Sequence, residues 1–373
     1  DLYAGLPAPK DGEEVVLWLQ NSHPEPIAAG EIGLNLMGDD RIVRLGDAIP
    51  GYATRALPVS GLLPEARWPQ QIEVQAGKHF VRPRYEVAAN GRRRIAHVNV
   101  ERMDLTPDPG IAELANLMGK GFILPAPVLP PERWRSIALP TPMSTCQQEL
   151  PVALLLIDGS GREMARHRFG RLPRSHATAL DVSEMIAAAG GLPSGFGHME
   201  LVYDFANGNT GKDGADGWLH ALFRYESLTG GHAAETSFGA HVFNTVLTYK
   251  SEPQSYTGRA PGLSTRLFLR LGTGPVDTLC HLIYPASTPW HGASATRLIL
   301  TAGNGETIAE KTIAIPCGGS HLWRYGETFS RAERDAAGDR AYVVIRDTSC
   351  RLFGYHGLLG DGGAFSLDHM FGF

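Results

Sequence analysis

The sequence predicts an all-β protein made of three tandem immunoglobulin-like antiparallel β-sandwich units with short helices. Among 373 residues, 44 are glycine and 26 are proline, and they separate short runs such as VVLWL, LVYDF and AYVVIR. Runs of β-branched and aromatic residues bounded by turn-forming residues are typical of short strands. An internal repeat of one strand-rich unit is the second observation that predicts this class.

The repeat is clearest in three segments that read as the same hairpin: GLNLMGDDRIVRLGDAIPGYATRALPV, ALLLIDGSGREMARHRFGRLPRSHATALDV and RLILTAGNGETIAEKTIAIPCGGSHLWRY. Each has an apolar strand, a turn with Gly or Asp, a second strand, a proline and then a large apolar residue, as expected of a repeated hairpin. The prolines are Pro50, Pro173 and Pro316, and the apolar residues are Leu57, Leu180 and Trp323. Further downstream, each copy ends a second hairpin on a tyrosine: Tyr85, Tyr225 and Tyr355.

Four or more short strands in each unit of roughly 100 residues fit a small sandwich better than a barrel or a parallel α/β layout. We therefore expect sandwich units at residues 12–100, 135–245 and 246–373. Residues 101–134 are expected to hold a helix at 107–121 and a proline-rich extended connector. A second helix is predicted within 180–191, where Asp181 and Glu184 have capping-box spacing.

Composition excludes several classes of function. The net charge of -5 gives no basic footprint for nucleic acid, and the basic RRR at 92–94 is interpreted as a solvated turn. The apolar run VALLLI is far shorter than the roughly 18 residues of a membrane span, so no transmembrane segment and a soluble chain are expected. The sequence also lacks a P-loop, a Rossmann glycine fingerprint and a GxSxG elbow. Because the chain begins at Asp1 without a hydrophobic leader, the sequence leaves open whether the compartment is cytoplasmic or exported.

The four cysteines are too dispersed for a disulfide scaffold or a CxxC-type zinc site. They are Cys146, Cys280, Cys317 and Cys350. We expect reduced and mostly buried thiols. The alternative is a bridge between Cys280 and Cys350, which lie in the same unit, if the compartment is oxidising.

One histidine recurs once in each unit, in IAHVNV, GAHVFN and LDHMFG. These are His97, His241 and His369. If the three units pack around a pseudo-threefold axis, three imidazoles with an open fourth position would suit zinc, copper or iron. Such a metal would activate water or oxygen. Alternatively, each histidine binds a backbone carbonyl at the joint between one sandwich and the next.

A second cluster of polar and aromatic residues lies in DGWLHALFRYESLTGGHAAETSFGAH, residues 216–241. Its glycines, serines and threonines indicate a loop, and its composition predicts a pocket lining. The predicted lining residues are Trp218, His220, Tyr225 and His232. Glu235 is the candidate general base, although HAAE lacks the second histidine of a zincin helix.

The leading functional hypothesis is a non-enzymatic binding or assembly protein, because tandem sandwiches present loops and edges to partners and no complete catalytic set is visible. Its ligand would be a protein, a small molecule or a carbohydrate. The alternative is a metalloenzyme with a three-histidine site formed by His97, His241 and His369, with Glu235 as base. Its only cofactor would be the histidine-bound transition metal.

Overall fold

A computed structural model describes residues 1–106, 123–204, 219–240, 248–249, 252–253, 264–285 and 291–370 of the chain. Within these ranges the secondary structure is mostly antiparallel β, arranged in six sheets of four or five strands and one two-stranded ribbon. The predicted all-β class is confirmed. None of the helices in these ranges has the length and apolar character needed to cross a membrane.

The first two sheets lie within residues 2–101. Their strands are β1 (Leu2–Pro7), β2 (Glu14–Gln20), β3 (Gly33–Leu36), β4 (Val43–Arg44), β5 (Thr54–Pro58), β6 (Gln71–Gln75), β7 (Arg84–Ala89), β8 (Arg92–His97) and β9 (Asn99–Glu101), with helix α1 (Val59–Leu62) between β5 and β6. The sheet orders are β4-β3-β6-β1-β9 and β5-β2-β7-β8. Alternate residues of β2, such as Leu17 and Leu19, are fully buried, as expected of a strand with one face on the core.

The second two sheets lie within residues 123–240. Their strands are β10 (Ile123–Val128), β11 (Trp134–Thr141), β12 (Glu149–Asp158), β13 (Glu163–Pro173), β14 (Leu180–Asp181), β15 (Gly197–Tyr203), β16 (Leu219–Ser227) and β17 (Ala233–Ala240), with helix α2 (Ser183–Ala188) after β14. The orders are β10-β15-β12-β13 and β14-β11-β16-β17. The proline-rich stretch predicted as a connector instead forms β10, which pairs with β15 at the edge of its sheet. Proline is tolerated there because an edge strand leaves one row of its N–H groups unpaired.

The last two sheets lie within residues 265–369 and follow the ribbon of β18 (Thr248–Tyr249) and β19 (Glu252–Pro253). Their strands are β20 (Thr265–Arg270), β21 (Asp277–Ile283), β22 (Thr296–Thr301), β23 (Thr307–Ile313), β24 (Ser320–Arg324), β25 (Tyr342–Asp347), β26 (Phe353–Leu359) and β27 (Asp368–His369), with helices α3 (Tyr325–Thr328) and α4 (Arg331–Ala337) after β24. The orders are β20-β25-β22-β23 and β24-β21-β26-β27.

The strand orders of the second and third sheet pairs correspond strand for strand, and the first pair has the same order with β9 added. The apolar residues aligned in the sequence occupy matching edge strands: Leu57 on β5, Leu180 on β14 and Trp323 on β24. The aligned tyrosines lie on β7, β16 and β26, and all three are fully buried. The hairpin predicted to end on each tyrosine does not form, because the preceding strands β6, β15 and β25 lie in the other sheet of each pair.

The hydrophobic cores of the sheet pairs are in contact with one another. Leu139 and Leu222 of the second pair belong to the core of the first. Leu279 and Ile283 of the third pair belong to the core of the second. The long apolar run of β12 fits this arrangement, because its residues from Pro151 onward are buried on both faces of the strand.

The two helices predicted from the sequence have different outcomes. The helix predicted at 107–121 lies outside the described residues. The helix predicted within 180–191 is α2; the Asp181 carboxylate accepts a hydrogen bond from the backbone N–H of Ser183 at 2.9 Å, but no capping box forms.

All four cysteines are free thiols, so Cys280 and Cys350 are not bridged. Both are fully buried, and burial raises the pKa of each thiol well above its ordinary value. This agrees with the expectation of reduced and buried thiols.

Candidate functional site

The last hairpin of each sheet pair meets the other two at one place, which we call the three-hairpin junction. It comprises the hairpins β7–β8, β16–β17 and β26–β27, with β17 packed against both β8 and β27. At their tips, the Arg92 guanidinium donates to the carbonyl of Gly362 at 2.9 Å and the Asn90 amide donates to the carbonyl of Gly231 at 3.4 Å. The structure thus brings together three segments that are far apart in the sequence.

Glycine makes the close approach of these tips possible. A Cβ atom on Gly230, whose φ is +78°, would lie 2.1 Å from the carbonyl oxygen of Gly362. A Cβ atom on Gly363 would lie 2.4 Å from the carbonyl oxygen of Thr229. Larger residues at either position would therefore push the second and third hairpins apart.

A buried ion-pair network joins β8 to β16 and β17 in the middle of the junction. The Glu235 carboxylate accepts from Arg94 Nη2 at 2.9 Å, pairs with Arg224 Nη2 at 2.7 Å, and accepts from the Tyr85 hydroxyl at 2.6 Å. Both arginines also contact Glu13. The side chain of Glu235 and that of Arg224 are completely buried, so this network lies in the interior and not at the surface.

These contacts decide what Glu235 can do chemically. Burial raises the pKa of its carboxyl, but Arg224 and Arg94, together with the hydrogen bond from Tyr85, lower that pKa to about 2. A carboxylate with so low a pKa and with its oxygens already occupied is a poor general base near neutral pH. The predicted base is instead the centre of a structural network.

Two of the three recurring histidines, His97 and His369, are in contact. The rings of His97, at the end of β8, and His369, on β27, lie 5.3 Å apart in an edge-to-face arrangement. The Thr236 hydroxyl contacts His369 Nδ1 at 3.0 Å from β17. His241, the third predicted member, lies outside the described residues.

His220 on β16 is the third imidazole at this end of the junction. Its Nε2 contacts the Ser237 hydroxyl at 3.1 Å and the side-chain amide of Asn99. Burial and repulsion from His97 and His369 lower the pKa of His220 to about 3. The pKa of His97 is also lowered, first by burial and then by His369, so both imidazoles are neutral at physiological pH.

Within the described ranges, no three His, Cys, Asp or Glu side chains are arranged to hold a metal ion. Ring nitrogens of His369 and His220 contact the hydroxyls of Thr236 and Ser237 on β17, whereas the joint-packing interpretation expected backbone carbonyls as partners. Three histidines nevertheless share one end of the junction, and His220 was predicted as a pocket residue and not as a member of that set.

The three remaining predicted pocket residues, Trp218, Tyr225 and His232, have different outcomes. The stretch expected to be a loop forms the hairpin β16–β17 over residues 219–240, and Trp218 lies outside the described residues. Tyr225 is a core residue whose hydroxyl donates to the carbonyl of Pro127 at 3.0 Å. His232 accepts from the backbone N–H of Phe365 at 3.1 Å and lies on the wall of a groove.

That groove has a volume of about 470 Å³ and is lined by residues of all three final hairpins. Its apolar lining includes Ile95, Phe365 and Leu367, and its polar lining includes His356 and Asp368. Ile95 is 68% exposed, so a large aliphatic side chain of the groove is accessible to a ligand. A concave, mostly apolar surface with a few polar groups is typical of a ligand site.

Sequence reasoning missed the arginines and Glu13 of the network. RRR at 92–94 was interpreted as a solvated turn, but these residues alternate along β8, so that the Arg93 side chain is exposed and the Arg94 side chain is only 9% exposed. The alternation of strand residues was the available signal. The partners Glu13 and Glu235 are too distant in sequence to be paired by any local pattern.

Comparisons with known proteins add little to this geometry. No protein-family model matches the chain, and no curated protein matches it. A solved structure, the crystal structure of dimeric latent PorU from Porphyromonas gingivalis, aligns over 96% of this chain with 10% sequence identity and a TM-score of 0.18. The chain spans only 29% of that protein's length, and so low a TM-score supports no inference about fold or function.

Proposed function

We propose that the chain is a non-enzymatic binding protein built from three immunoglobulin-like sandwich repeats that are fixed to one another at the three-hairpin junction. The repeats correspond to the units predicted at 12–100, 135–245 and 246–373, but the first sheet pair also includes β1 at 2–7 and the second includes β10 from the predicted connector 101–134. The shared strand order and the matching positions of the aligned tyrosines support a repeat. Each repeat contains two packed antiparallel sheets, as an immunoglobulin-like sandwich requires.

The observation that carries the proposal is the position of Glu235 between Arg94 and Arg224. The junction has the acidic and basic groups expected of a reactive centre, but their hydrogen bonds are made to one another across the repeats. A buried ion pair is weak evidence of added stability, and in some proteins such pairs specify one arrangement of the packed elements. We infer that the junction holds three binding units in one arrangement.

The groove beside this network is the proposed ligand site. All three repeats contribute to its lining, so its shape depends on the junction. Its volume of about 470 Å³ matches a small organic ligand or a few side chains of a partner. Ile95 is the residue that a ligand would cover.

A screen of small organic compounds by ligand-observed NMR tests this site. Ile95→Lys places a charge in the groove without disturbing the core, and Met103→Lys is the matched control, because Met103 is 66% exposed and does not line the groove. We expect compounds that bind the natural chain to lose binding to Ile95→Lys, to keep binding to Met103→Lys, and to be recovered unchanged. A compound that is chemically converted by the natural chain would contradict a non-enzymatic function.

The second candidate is a metalloenzyme whose metal, zinc, copper or iron, is bound by histidines of the junction. One observation favours it: His97 and His369 are in ring contact, and both contribute to lowering the pKa of the neighbouring His220. The contacts of His369 Nδ1 with Thr236 and of His220 Nε2 with Ser237 favour instead a packing role for these histidines, where the sheet pairs meet. Metal analysis separates these two functions.

A further inference from the structure

A row of three arginines crosses the outer face of the sheet β20-β25-β22-β23, far in sequence from the groove lining of β8 and β17. Arg266 on β20 is paired directly with Arg346 on β25, and Arg346 is paired directly with Arg297 on β22. Neighbouring strands are about 4.8 Å apart, so three positive side chains lie side by side across the face. Like charges directly opposite each other destabilise a sheet.

Little in the described part of the chain compensates for this row. Arg297 pairs with Glu310 through two nitrogen–oxygen contacts. Arg266 and Arg346 have no carboxylate partner among the described residues. Arg346 has only a hydrogen bond of 3.5 Å to the carbonyl of Thr265, and Arg270 adds a further exposed arginine on β20.

The arginines of another sheet give the contrast. On β13, at the edge of the corresponding sheet of the second pair, Arg166 pairs with Glu163 at 2.9 Å and Arg168 with Asp204 at 2.9 Å. Arg171 is also paired, with Glu149. Arginines without a carboxylate partner among the described residues therefore lie on this sheet of the third pair and are not found on β13 of the corresponding sheet.

Aromatic rings lie beside the row on the same face. Phe268, two residues along β20 from Arg266, is 49% exposed, and its ring centroid lies 6.4 Å from that of Tyr342 at an interplanar angle of 39°. The Arg266 guanidinium carbon lies 5.3 Å from the centroid of the Phe268 ring. The exposed ring of Phe268 and the partly buried ring of Tyr342, next to guanidinium groups without a carboxylate partner in the described ranges, give this face both stacking and anion-binding capacity.

We propose that this face binds a carboxylated polysaccharide. Arg266 and Arg346 bind carboxylates of successive uronic acid units, and Phe268 stacks on the apolar face of a sugar ring. A guanidinium and a carboxylate fit each other as a two-pronged pair, and Arg297 with Glu310 is an example of that pairing on this same face. The proposal rests on the binding function proposed above but concerns a separate surface.

Charge favours this ligand over more highly charged ones. The chain as a whole has a net charge of -5, so it opposes the approach of a dense polyanion such as nucleic acid. A polysaccharide with one carboxylate per sugar has a lower charge density and offers apolar ring faces to Phe268. The arginines follow one another across the strands, so an extended chain that runs in that direction would meet each in turn.

Titration calorimetry with polygalacturonate tests the proposal, with neutral dextran, dextran sulfate, single-stranded DNA and phosphatidylserine vesicles as alternative probes at one ionic strength. We expect polygalacturonate to bind most tightly and neutral dextran not to bind. The double variant Arg266→Ala/Arg346→Ala should lose about tenfold or more in affinity, since two charge-assisted contacts are removed. Phe268→Ala should lose affinity several-fold.

Two matched controls locate the site. Arg168→Ala removes an exposed arginine that already has a carboxylate partner, and Ile95→Lys alters only the groove; both should leave polygalacturonate affinity unchanged. Equal affinity of the double variant and the natural chain, or tighter binding of DNA, vesicles or dextran sulfate, overturns the proposal. If the natural chain binds the groove compounds but not polygalacturonate, the polysaccharide site is refuted and the binding function proposed above is not.

Discussion

The imidazole rings of His97 and His369 lie 5.3 Å apart, edge to face, although one ends β8 of the first sheet pair and the other ends the third pair on β27. Between these strands lies β17, whose Thr236 contacts His369 and whose Glu235 pairs with Arg94 of β8. The final hairpins of the three sheet pairs therefore form one closed contact. The proposed arrangement of three binding units depends on this junction.

Stability should fall on mild acidification because His220 is buried and neutral. Its pKa of about 3 in the folded chain is below the value of about 6.5 for an unfolded histidine. Below pH 6.5 the unfolded chain binds a proton that the folded chain does not, so the free energy of unfolding decreases toward low pH. Between pH 7 and 5 we expect His220 to contribute a loss of about 2 kcal/mol.

Urea denaturation at several pH values measures this loss, and His220→Gln is the variant that should flatten the profile between pH 7 and 5. The lowered pKa values of His97 and His281 act in the same direction, whereas Glu101, whose pKa is raised to about 7 by burial, opposes them in this window. Glu235 and Asp368, with pKa values of about 2, lose their stabilising effect only below roughly pH 4.5, outside this window. An unchanged slope in His220→Gln would show that this histidine does not set the pH dependence.

Replacing Glu235 by Gln should destabilise the chain strongly. The change leaves the buried guanidinium of Arg224 without its closest carboxylate, and breaking one partner of a buried ion pair costs about 3 to 5 kcal/mol. Arg168→Ala is the control, because an exposed pair contributes about 0 to 1 kcal/mol. Chemical denaturation of both variants measures the difference, and similar losses in the two would contradict a structural role for Glu235.

Gly230→Ala should destabilise the chain more than Gly12→Ala does. The two glycines have nearly the same φ, +78° and +81°, so the backbone strain of an alanine is comparable. Only the Cβ at position 230 meets a neighbour, the Gly362 carbonyl at 2.1 Å, whereas that at position 12 meets nothing within 4 Å. Thermal unfolding of the two variants isolates the contact between hairpin tips; equal melting temperatures would mean that the tips are not held together.

Thiol reactivity should separate the cysteines, although Cys146 and Cys317 are both partly exposed. Cys280 and Cys350 are buried, and burial raises the pKa of Cys317 to about 11, so none of the three is expected to react quickly in the folded chain. Cys146 is partly exposed and should react first with an aromatic disulfide reagent. Cys146→Ser should abolish this fast phase, and all four thiols of the natural chain should react in denaturant; reaction of only two would indicate a disulfide.

The fold class followed from local patterns, and the junction followed only in part. Alternation and turn residues predict the strands, and the aligned tyrosines occupy matching strands because a buried aromatic near a hairpin end is a local feature. The recurrence of histidine left open whether His97 and His369 meet at a shared axis or lie apart at separate joints, and the structure places their rings in contact. The pairing of Arg94 and Glu235 was not predictable, because no local pattern joins residues that distant, and β10 was misread because proline is also compatible with an edge strand.

Metal analysis of the untagged chain, together with His97→Ala, His220→Ala and His369→Ala, tests the central claim that the junction is a joint of a binding protein and not a catalytic centre. We expect no stoichiometric zinc, copper or iron in the natural chain, and a lower melting temperature in each variant. About one metal ion per chain, lost in all three variants, would contradict it.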